Sequence, residues 1–189
     1  MPKKTNWIMV ALVVGFSSLM AWAAIPEVGQ KAPSFSLSTP DGHAVSLSDY
    51  TKQGDVVLIV LRGYPGYQCP YCTRQVHDFV EHADGFSTLG TQVLLVYPGP
   101  SADLDQHARE ALAKQNPLPA NVHLVTDPDY KFTNLYGLRW DAPHETAYPS
   151  TFLIDRSDVI FYRKVSRSHG DRTTAQDVLA KLQSSSGGR

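Results

Sequence analysis

The chain has 189 residues, of which 17 are Lys or Arg and 18 are Asp or Glu, giving a formal net charge of −1 at pH 7. This balance argues against nucleic acid or an anionic membrane as the partner, because both attract proteins with a clustered basic excess. With 42% hydrophobic residues and only two cysteines, the chain is long enough to bury a core without disulfide support.

The N-terminal segment has the pattern of an export signal. Lys3-Lys4 gives it a basic start, an apolar core follows, and Ala21-Trp22-Ala23 is a small-x-small cleavage pattern. Cleavage of residues 1–23 would leave residues 24–189 with 15 basic and 18 acidic residues, a net charge of −3. We therefore expect an exported, periplasmic or extracytoplasmic protein. An uncleaved membrane anchor is the alternative, because the apolar run from Trp7 to Ile25 is just long enough to span a bilayer.

A β-hairpin and a buried strand are predicted to open the exported part. Residues 34–38 and 44–47 flank Asp41-Gly42, a dipeptide typical of tight turns. Ser48-Asp49-Tyr50 is expected to close this hairpin. The apolar run within residues 55–60 predicts a strand that is buried on both faces.

Strands and helices alternate through the rest of the chain. Strands are predicted over residues 91–97, 121–126, 151–155 and 159–165, and further helices over residues 101 or 103 to 115, 130–135 and 175–183. Pro98-Gly99-Pro100 is expected to break the first of these strands. Capping pairs are expected at Asp103 with Gln106 and at Thr173 with Gln176. A polar loop over residues 139–148 and a flexible tail over residues 184–189 complete this α/β pattern.

Both cysteines lie in Cys69-Pro70-Tyr71-Cys72, after the predicted strand and before apolar residues at helical spacing, namely Val76, Phe79, Val80 and Ala83. Pro70 suits the first helical position, because its φ is already helical and its missing N–H would be unpaired there. At a helix N-terminus, free N–H groups and the helix dipole favour negative charge, so a thiol ionises more readily. The pattern predicts a redox-active dithiol–disulfide couple of Cys69 and Cys72.

Four stretches of the sequence carry a family resemblance: Gly29–Leu37, Cys69–Cys72, Asp127–Tyr130 and Tyr148–Asp155. Together they resemble a thioredoxin-fold redoxin of the alkyl hydroperoxide reductase C/thiol-specific antioxidant, or peroxiredoxin-like, family. The resemblance implies a thioredoxin-like fold with a central mixed sheet flanked by helices and an N-terminal β-hairpin. It implies no organic cofactor or metal, and electron exchange with other thiol or disulfide proteins.

The sequence departs from the peroxiredoxin pattern at two positions. In Pro-x-x-x-Thr-x-x-Cys, Pro65 and Cys72 fit and Cys69 stands at the Thr position. Pro149 takes the place of the peroxiredoxin Arg and resembles the cis-proline of thioredoxins, whose loop packs against the dithiol and offers backbone groups to an incoming chain. The resemblance therefore implies a cis Tyr148–Pro149 bond. Candidates to replace the missing Arg are Arg62, Arg139 and Arg172.

These features favour an exported thiol–disulfide oxidoreductase that exchanges electrons with protein or small-molecule disulfides. A thiol-dependent peroxidase that reduces hydrogen peroxide or alkyl hydroperoxides is the second reading. A copper-binding chaperone is the third, although such proteins space their cysteines more widely and no histidine here is marked as a partner ligand. A structural disulfide would close too small a loop to add much stability, and a zinc site would need two more ligands.

The two family patterns disagree about which thiol attacks. We expect Cys69 to attack and Cys72 to resolve, because Cys69 at the helix cap should be the more exposed thiol and Cys72 should be covered by the first turn. Tyr67, Tyr148 and Pro149 are expected to bind substrate. Tyr64 and Tyr71, with Tyr67, form either an apolar rim or ordinary packing.

Overall fold

The computed structural model describes residues 24–115 and 117–186. The expected export signal at residues 1–23 lies outside the described residues, so both its cleavage and the alternative of an anchor stay predictions. Among the helices that are described, none is long and apolar enough to cross a bilayer.

Seven strands form one mixed sheet in the order β2-β1-β5-β4-β3-β6-β7. The strands are β1 (Ser36–Ser38), β2 (Ala44–Ser46), β3 (Val56–Val60), β4 (Gln92–Gly99), β5 (Val122–Pro128), β6 (Ser150–Ile154) and β7 (Ile160–Val165). The helices are α1 (Leu47–Thr51), α2 (Pro70–Glu81), α3 (Ala83–Thr88), α4 (Leu104–Ala111), α5 (Lys131–Leu135) and α6 (Ala175–Ser186).

The centre of the sheet is parallel and its outer pairs are antiparallel. Strands β3, β4 and β5 run parallel, whereas β6 and β7 on one side and β1 and β2 on the other pair antiparallel. This arrangement is the predicted mixed sheet with an N-terminal hairpin. Because the carboxyl ends of parallel strands meet at one edge of a sheet, side chains that follow β3 and β4 are brought together there.

Strand β3 lies between two hydrophobic clusters. All five of its residues are fully buried, as expected for an unbroken apolar run. Val57 and Ile59 face the cluster that includes Phe79 of α2, and alternate residues face the cluster that includes Phe132 of α5. The sheet therefore holds the start of α2 against one of its faces.

Several element boundaries differ from the predicted ones. The segment expected to close the hairpin is helix α1, whose Leu47 is buried against the second cluster. Strand β4 continues through the expected break, because Pro98 pairs with Asp127 of β5. Helix α4 ends four residues earlier than expected, at Ala111, and α6 runs on to Ser186 through the first part of the expected tail. Helix α3 has no counterpart among the predicted elements.

Both expected helix caps are also different in the structure. Asp103 precedes α4 with a left-handed backbone and its side chain makes no capping hydrogen bond. At α6 the capping pair is shifted by one residue. The Asp177 N–H donates to Thr174 Oγ1 at 3.1 Å and the Thr174 N–H donates to the Asp177 carboxylate at 3.3 Å. Thr173 is instead buried, and its hydroxyl bonds that of Thr151 at 2.7 Å.

Gly63 fixes the path of the chain from β3 towards the dithiol. Its φ is +66°, and a Cβ built on it would overlap the carbonyl oxygen of Pro98 on β4. We expect Gly63→Ala to lower the free energy of unfolding by about 3 kcal/mol or more, from left-handed strain plus the backbone clash. Urea unfolding measures this loss. Gly42→Ala is the matched control, because Gly42 has φ +91° with open space around it and should lose only about 1–2 kcal/mol. Equal losses would show that the contact with Pro98 does not constrain the chain.

Candidate active site

The segment between β3 and α2 is held in place by hydrogen bonds to neighbouring elements. Tyr64 donates its N–H to the Pro98 carbonyl at 2.9 Å, and its ring stacks on His107 of α4 with centroids 3.6 Å apart. Gln68, directly before Cys69, accepts the Tyr97 hydroxyl at 2.8 Å and donates to the His107 carbonyl at 2.8 Å. The residue that carries the first thiol therefore follows a side chain fixed to both β4 and α4.

Cys69 is the N-cap of α2 and Cys72 is the third residue of that helix. Both are free thiols, and both are buried, with 3% and 5% of their surface exposed. These values do not confirm the expectation that Cys69 is the more exposed thiol, because both residues are buried to a similar extent. The two side chains are in hydrogen-bond contact.

The environment separates the two thiols into an acidic one and a weakly acidic one. The hydrogen bond from the Cys72 thiol lowers the pKa of the Cys69 thiol to about 5, against the effect of burial and helped by the Cys72 backbone N–H and two arginines. Burial raises the pKa of the Cys72 thiol well above its usual value, and the hydrogen bond to Cys69 raises it further. At neutral pH the pair therefore carries one charge, on Cys69, with Cys72 as a proton donor to it.

Arg172 brings a guanidinium group to the second thiol. Its Nη2 lies 3.5 Å from Cys72 Sγ, its Nη1 donates to Gln75 Oε1 at 2.8 Å, and its Nε donates to the His169 carbonyl at 2.7 Å. Each of its three guanidinium nitrogens therefore has its own acceptor, and these contacts fix the orientation of the group. Of the three arginines proposed to replace the peroxiredoxin Arg, Arg172 is the one whose guanidinium group contacts Cys72. Arg139 instead donates to backbone carbonyls in its own loop.

Arg62 brings a second guanidinium group to the first thiol. It is 1% exposed, it contributes to the low pKa of Cys69, and its Nε donates to Glu145 Oε2 at 2.6 Å. Its other donors reach Tyr67 Oη at 2.8 Å and the His144 carbonyl at 2.5 Å. Such complete pairing is what a buried cation requires.

Glu145 connects this arginine to the segment that precedes Arg172. Its second carboxylate oxygen lies 2.8 Å from His169 Nε2. Burial alone would raise the pKa of Glu145, but hydrogen bonds with Arg62 and His169 outweigh it and lower the pKa. An ionised Glu145 therefore joins the Arg62 side of the site to the His169–Arg172 side.

The three residues expected to bind substrate lie around this site but not as expected. Tyr67 is 46% exposed and bonds Arg62. Pro149 is buried and lines a small crevice with Gln75 and Arg172. The Tyr148 N–H already donates to the Leu138 carbonyl at 2.9 Å.

The expectation that this loop offers its backbone to an incoming chain is therefore wrong. Besides the Tyr148 N–H, the Tyr148 carbonyl accepts the Ser150 hydroxyl and the Pro149 carbonyl accepts the Ser166 N–H, each at 2.8 Å. Binding of substrate by the side chains of Tyr67, Tyr148 and Pro149 stays a prediction.

Sequence reasoning missed Glu145 and His169 and left Arg172 as one of three choices. These residues come from distant parts of the chain: Glu145 lies 83 residues after Arg62, which it bonds, and Arg172 lies 100 residues after Cys72. Thr146, whose hydroxyl donates to the Arg62 carbonyl, was missed in the same way. The departure from the peroxiredoxin pattern at Pro149 was the one signal that a distant arginine was needed.

Metal ligation receives no support from the described part of the chain. It contains no group of three or more His, Cys, Asp and Glu side chains that is arranged to hold a metal ion. The structure therefore adds nothing to the copper-binding reading.

Alkylation of the reduced protein should follow the ionisation of one thiol. We expect the labelling rate with iodoacetamide to rise with a midpoint near pH 5, with the label on Cys69. Cys72→Ala should move this midpoint to higher pH, because the thiol hydrogen bond that lowers the pKa of Cys69 is lost. Cys72→Ser keeps a hydroxyl donor and should move it less. Mass spectrometry locates the label, and labelling of Cys72 first would contradict the assignment.

Comparisons with known proteins agree with this fold. The sequence profile of the AhpC/TSA family matches residues 28–163. The Helicobacter pylori protein named "Putative peroxiredoxin bcp" is 32% identical over 164 residues, covering 82% of this chain and 97% of its own length. The chloroplastic peroxiredoxin Q of Populus jackii is 30% identical over 132 residues, covering 70% of this chain and 57% of that one.

Solved structures show the same fold. A peroxiredoxin-like protein from Aquifex aeolicus superimposes with a TM-score of 0.69 over 85% of this chain and 88% of its own, at 20% identity. The predicted α/β class and thioredoxin-like fold are therefore confirmed. The chain belongs to the AhpC/TSA family of peroxiredoxin-like redoxins and is an oxidoreductase that acts on thiols, disulfides or peroxides.

Proposed function

We propose that the protein is a thiol-dependent peroxidase that reduces hydrogen peroxide or alkyl hydroperoxides through Cys69 and Cys72. The observation that carries this proposal is a buried dithiol at a helix N-terminus. It is in contact with the guanidinium groups of Arg62 and Arg172, and hydrogen bonds hold both of these groups in place. The relatives named above are peroxiredoxins, which favours this second reading of the sequence over the more general thiol–disulfide oxidoreductase.

The first step is the attack of the Cys69 thiolate on the nearer peroxide oxygen. The sulfur–oxygen bond forms, the oxygen–oxygen bond breaks, and the electron pair leaves on the distal oxygen, which takes up a proton as water or an alcohol. Guanidinium donors next to the sulfurs stabilise the charge that develops on the departing oxygen. Cys69 is then a sulfenic acid.

The second step regenerates a neutral, oxidised site. Cys72 attacks the Cys69 sulfenic sulfur, the Cys69–Cys72 disulfide forms, and water leaves with the Cys72 proton. The two side chains already contact each other at the start of α2. The disulfide can therefore form without a rearrangement that brings the two residues together. An external thiol donor then reduces the disulfide.

Burial separates this proposal from protein disulfide exchange. Exchange requires the attacking sulfur to reach a partner disulfide, yet both sulfurs lie beneath the loop and helix surface. The Tyr148 N–H, which would pair with an incoming chain, is also occupied. A peroxide of two heavy atoms needs far less access than a polypeptide does. Disulfide exchange stays the second candidate, favoured by the low pKa of Cys69 at the helix cap.

The test is a pair of assays on the purified protein with dithiothreitol as reductant. We expect the second-order rate constant for hydrogen peroxide to exceed that for insulin disulfide reduction by at least about tenfold, a margin that corresponds to 1.4 kcal/mol in barrier height. The variant in which both cysteines are replaced by serine gives the background in each assay. A faster reaction with insulin would overturn the proposal in favour of disulfide exchange.

We also propose that residues 1–23 direct export, so that the peroxidase acts outside the cytoplasm. The basic start, apolar core and Ala-x-Ala pattern support it. N-terminal sequencing of the protein from its host should begin at Ala24. An intact Met1 in the membrane fraction would support the anchor instead.

A further inference from the structure

A row of aromatic rings leads away from the dithiol across the surface. Tyr71 stands between the two cysteines on α2, and its ring centroid is 6.4 Å from that of His169. His169 is 5.4 Å from Trp140, which stacks on Tyr148 at 4.9 Å. These four rings, Tyr71, His169, Trp140 and Tyr148, are called the aromatic strip below.

Each end of the aromatic strip carries an arginine. The Arg74 guanidinium lies 4.7 Å from the ring centre of Tyr71, and the Arg167 guanidinium lies 4.5 Å from that of Tyr148. Both arginines are exposed. Within residues 24–115 and 117–186, carboxylates pair with Arg62, Arg139 and Arg163, but with neither Arg74 nor Arg167. The strip thus offers stacking surface and two cations that lack an acidic partner.

Oxidation of the dithiol adds a third positive contribution next to the strip. In the reduced state the charged groups around the two sulfurs are Arg62, Arg172, Glu145 and the Cys69 thiolate, whose formal charges cancel. Disulfide formation removes the thiolate charge and leaves a net charge of +1 in a poorly solvated site, where electrostatic attraction is stronger than in water. An anion near the thiols is therefore bound more tightly by the oxidised protein than by the reduced one.

We propose that the aromatic strip binds the electron donor and that this donor is a small thiol bearing a carboxylate. The inference rests on the proposed function, because it assigns the donor that completes the peroxidase cycle. Arg74, on the ring of Tyr71, would pair with the carboxylate while the thiol reaches the disulfide, and Arg167 adds to the positive field that attracts the donor. The donor is small for the same reason that the peroxide is small: both sulfurs are buried and the Tyr148 N–H is occupied.

The charge change gives the cycle a direction. The donor thiolate attacks one sulfur of the disulfide, a donor–protein disulfide forms, and the other cysteine leaves with the electron pair of the broken bond. A second donor thiolate attacks the donor sulfur, which releases the donor disulfide and the remaining cysteine sulfur with its electron pair. Cys72 takes up one proton from solvent, and the protein is back in its reduced state. The thiolate charge reappears on Cys69, so the anionic product is bound less tightly than the incoming donor was.

The experiment measures re-reduction of the full-length protein apart from its peroxidase activity. Diamide first converts Cys69 and Cys72 to the disulfide, which requires no reaction with peroxide. The oxidised protein is then mixed with 3-mercaptopropionate, 2-mercaptoethanol or cysteamine, which carry a negative, neutral and positive group. Acid quenching, alkylation and mass spectrometry count the free protein thiols, and each rate is divided by the donor's thiolate fraction.

We expect the anionic donor to react at least about tenfold faster than the neutral one at low ionic strength, and the cationic donor to be slowest. The preference should fall towards about twofold in 0.5 M salt, because screening weakens exposed charge pairs. In the Arg74→Gln/Arg167→Gln double variant the ratio of anionic to neutral rates should approach one. Arg156→Gln is the matched control, since Arg156 is exposed and donates to the Gln53 carbonyl near the start of β3, away from the strip.

Equal rates for the three donors, or an unchanged ratio in the double variant, would overturn the inference. Reduced thioredoxin provides the remaining arm. If it reduces the diamide-formed disulfide more than about 100-fold faster than any small thiol, the donor is a protein and the proposal fails. These measurements do not depend on the peroxide assay, so they can be interpreted even if the proposed peroxidase function fails its own test.

Discussion

Replacing Cys69 with serine should lower the rate constant for peroxide reduction by about 10³-fold or more, because the thiolate that attacks is lost. Cys72 cannot take over at neutral pH, since burial, which raises its pKa well above the usual value, persists in this variant. Cys72→Ser should instead retain the first chemical step. Without an external thiol it should complete one turnover per molecule and stop as the Cys69 sulfenic acid.

Stopped-flow peroxide consumption with no added reductant measures both effects. Dimedone traps the sulfenic acid, and mass spectrometry should find it on Cys69 of the Cys72→Ser variant. The thermal unfolding midpoint of each variant shows whether the substitution has disturbed the fold. If Cys69→Ser consumes peroxide at a near wild-type rate and dimedone labels Cys72, the attacking residue is Cys72. That result would agree with the peroxiredoxin pattern, in which Pro65 and Cys72 have the spacing of the proline and the attacking cysteine.

The identity of the attacking thiol marks the limit of what the sequence could specify. A local pattern, Cys-Pro-Tyr-Cys after an apolar run, was enough to predict a buried strand, a helix N-terminus and a redox pair, because each depends on neighbours in the chain. How the single negative charge divides between Cys69 and Cys72 depends on burial and on Arg62 and Arg172. Those contributions exist only once the chain has folded.

The fold shows the same division between local and distant causes. The run from Val56 to Val60 was predicted correctly because its burial on both faces leaves an uninterrupted apolar sequence. Pro98 was expected to end β4. The strand instead continues through Pro98, which still pairs with Asp127 of the neighbouring parallel strand β5. Gln106 was expected to cap α4, and its amide instead bonds Glu110 at 3.0 Å. Competing partners one turn away decide such caps, and spacing alone does not rank them.

Replacing Arg172 with glutamine should lower kcat/KM for hydrogen peroxide by about 100-fold, the usual loss when one positioned donor to a developing oxyanion is removed. Arg172 also lowers the pKa of both thiols through its charge. Without it the pKa of Cys69 must rise, so a larger share of Cys69 is protonated between pH 5 and 7. The loss should therefore be greatest in this acidic range and smaller above pH 8, where the thiolate forms again.

Arg172→Lys separates charge from geometry. Lysine keeps the positive charge, but one ammonium group cannot reach the Gln75 side chain, the His169 carbonyl and Cys72 Sγ as the guanidinium does. In the alkylation assay, we expect the pKa of Cys69 in Arg172→Lys to stay close to its low wild-type value. The kcat/KM of Arg172→Lys should nevertheless exceed that of Arg172→Gln by no more than about tenfold. Gln75→Ala removes one anchor and keeps the guanidinium, so its loss should be smaller than that of Arg172→Gln.

A purely structural role for Arg172 predicts a different set of results. Lysine and glutamine variants would then lose activity in proportion to their stability, with no change in the pH dependence of alkylation. Added methylguanidinium distinguishes the two cases most directly, because it can occupy the space vacated in Arg172→Ala. Partial recovery of peroxide reduction there assigns the catalytic contribution to the guanidinium group, provided that methylguanidinium leaves the rate of the Arg156→Ala control unchanged. If Arg172→Gln keeps more than half of the wild-type kcat/KM, Arg62 alone stabilises the reaction and Arg172 only braces the start of α2.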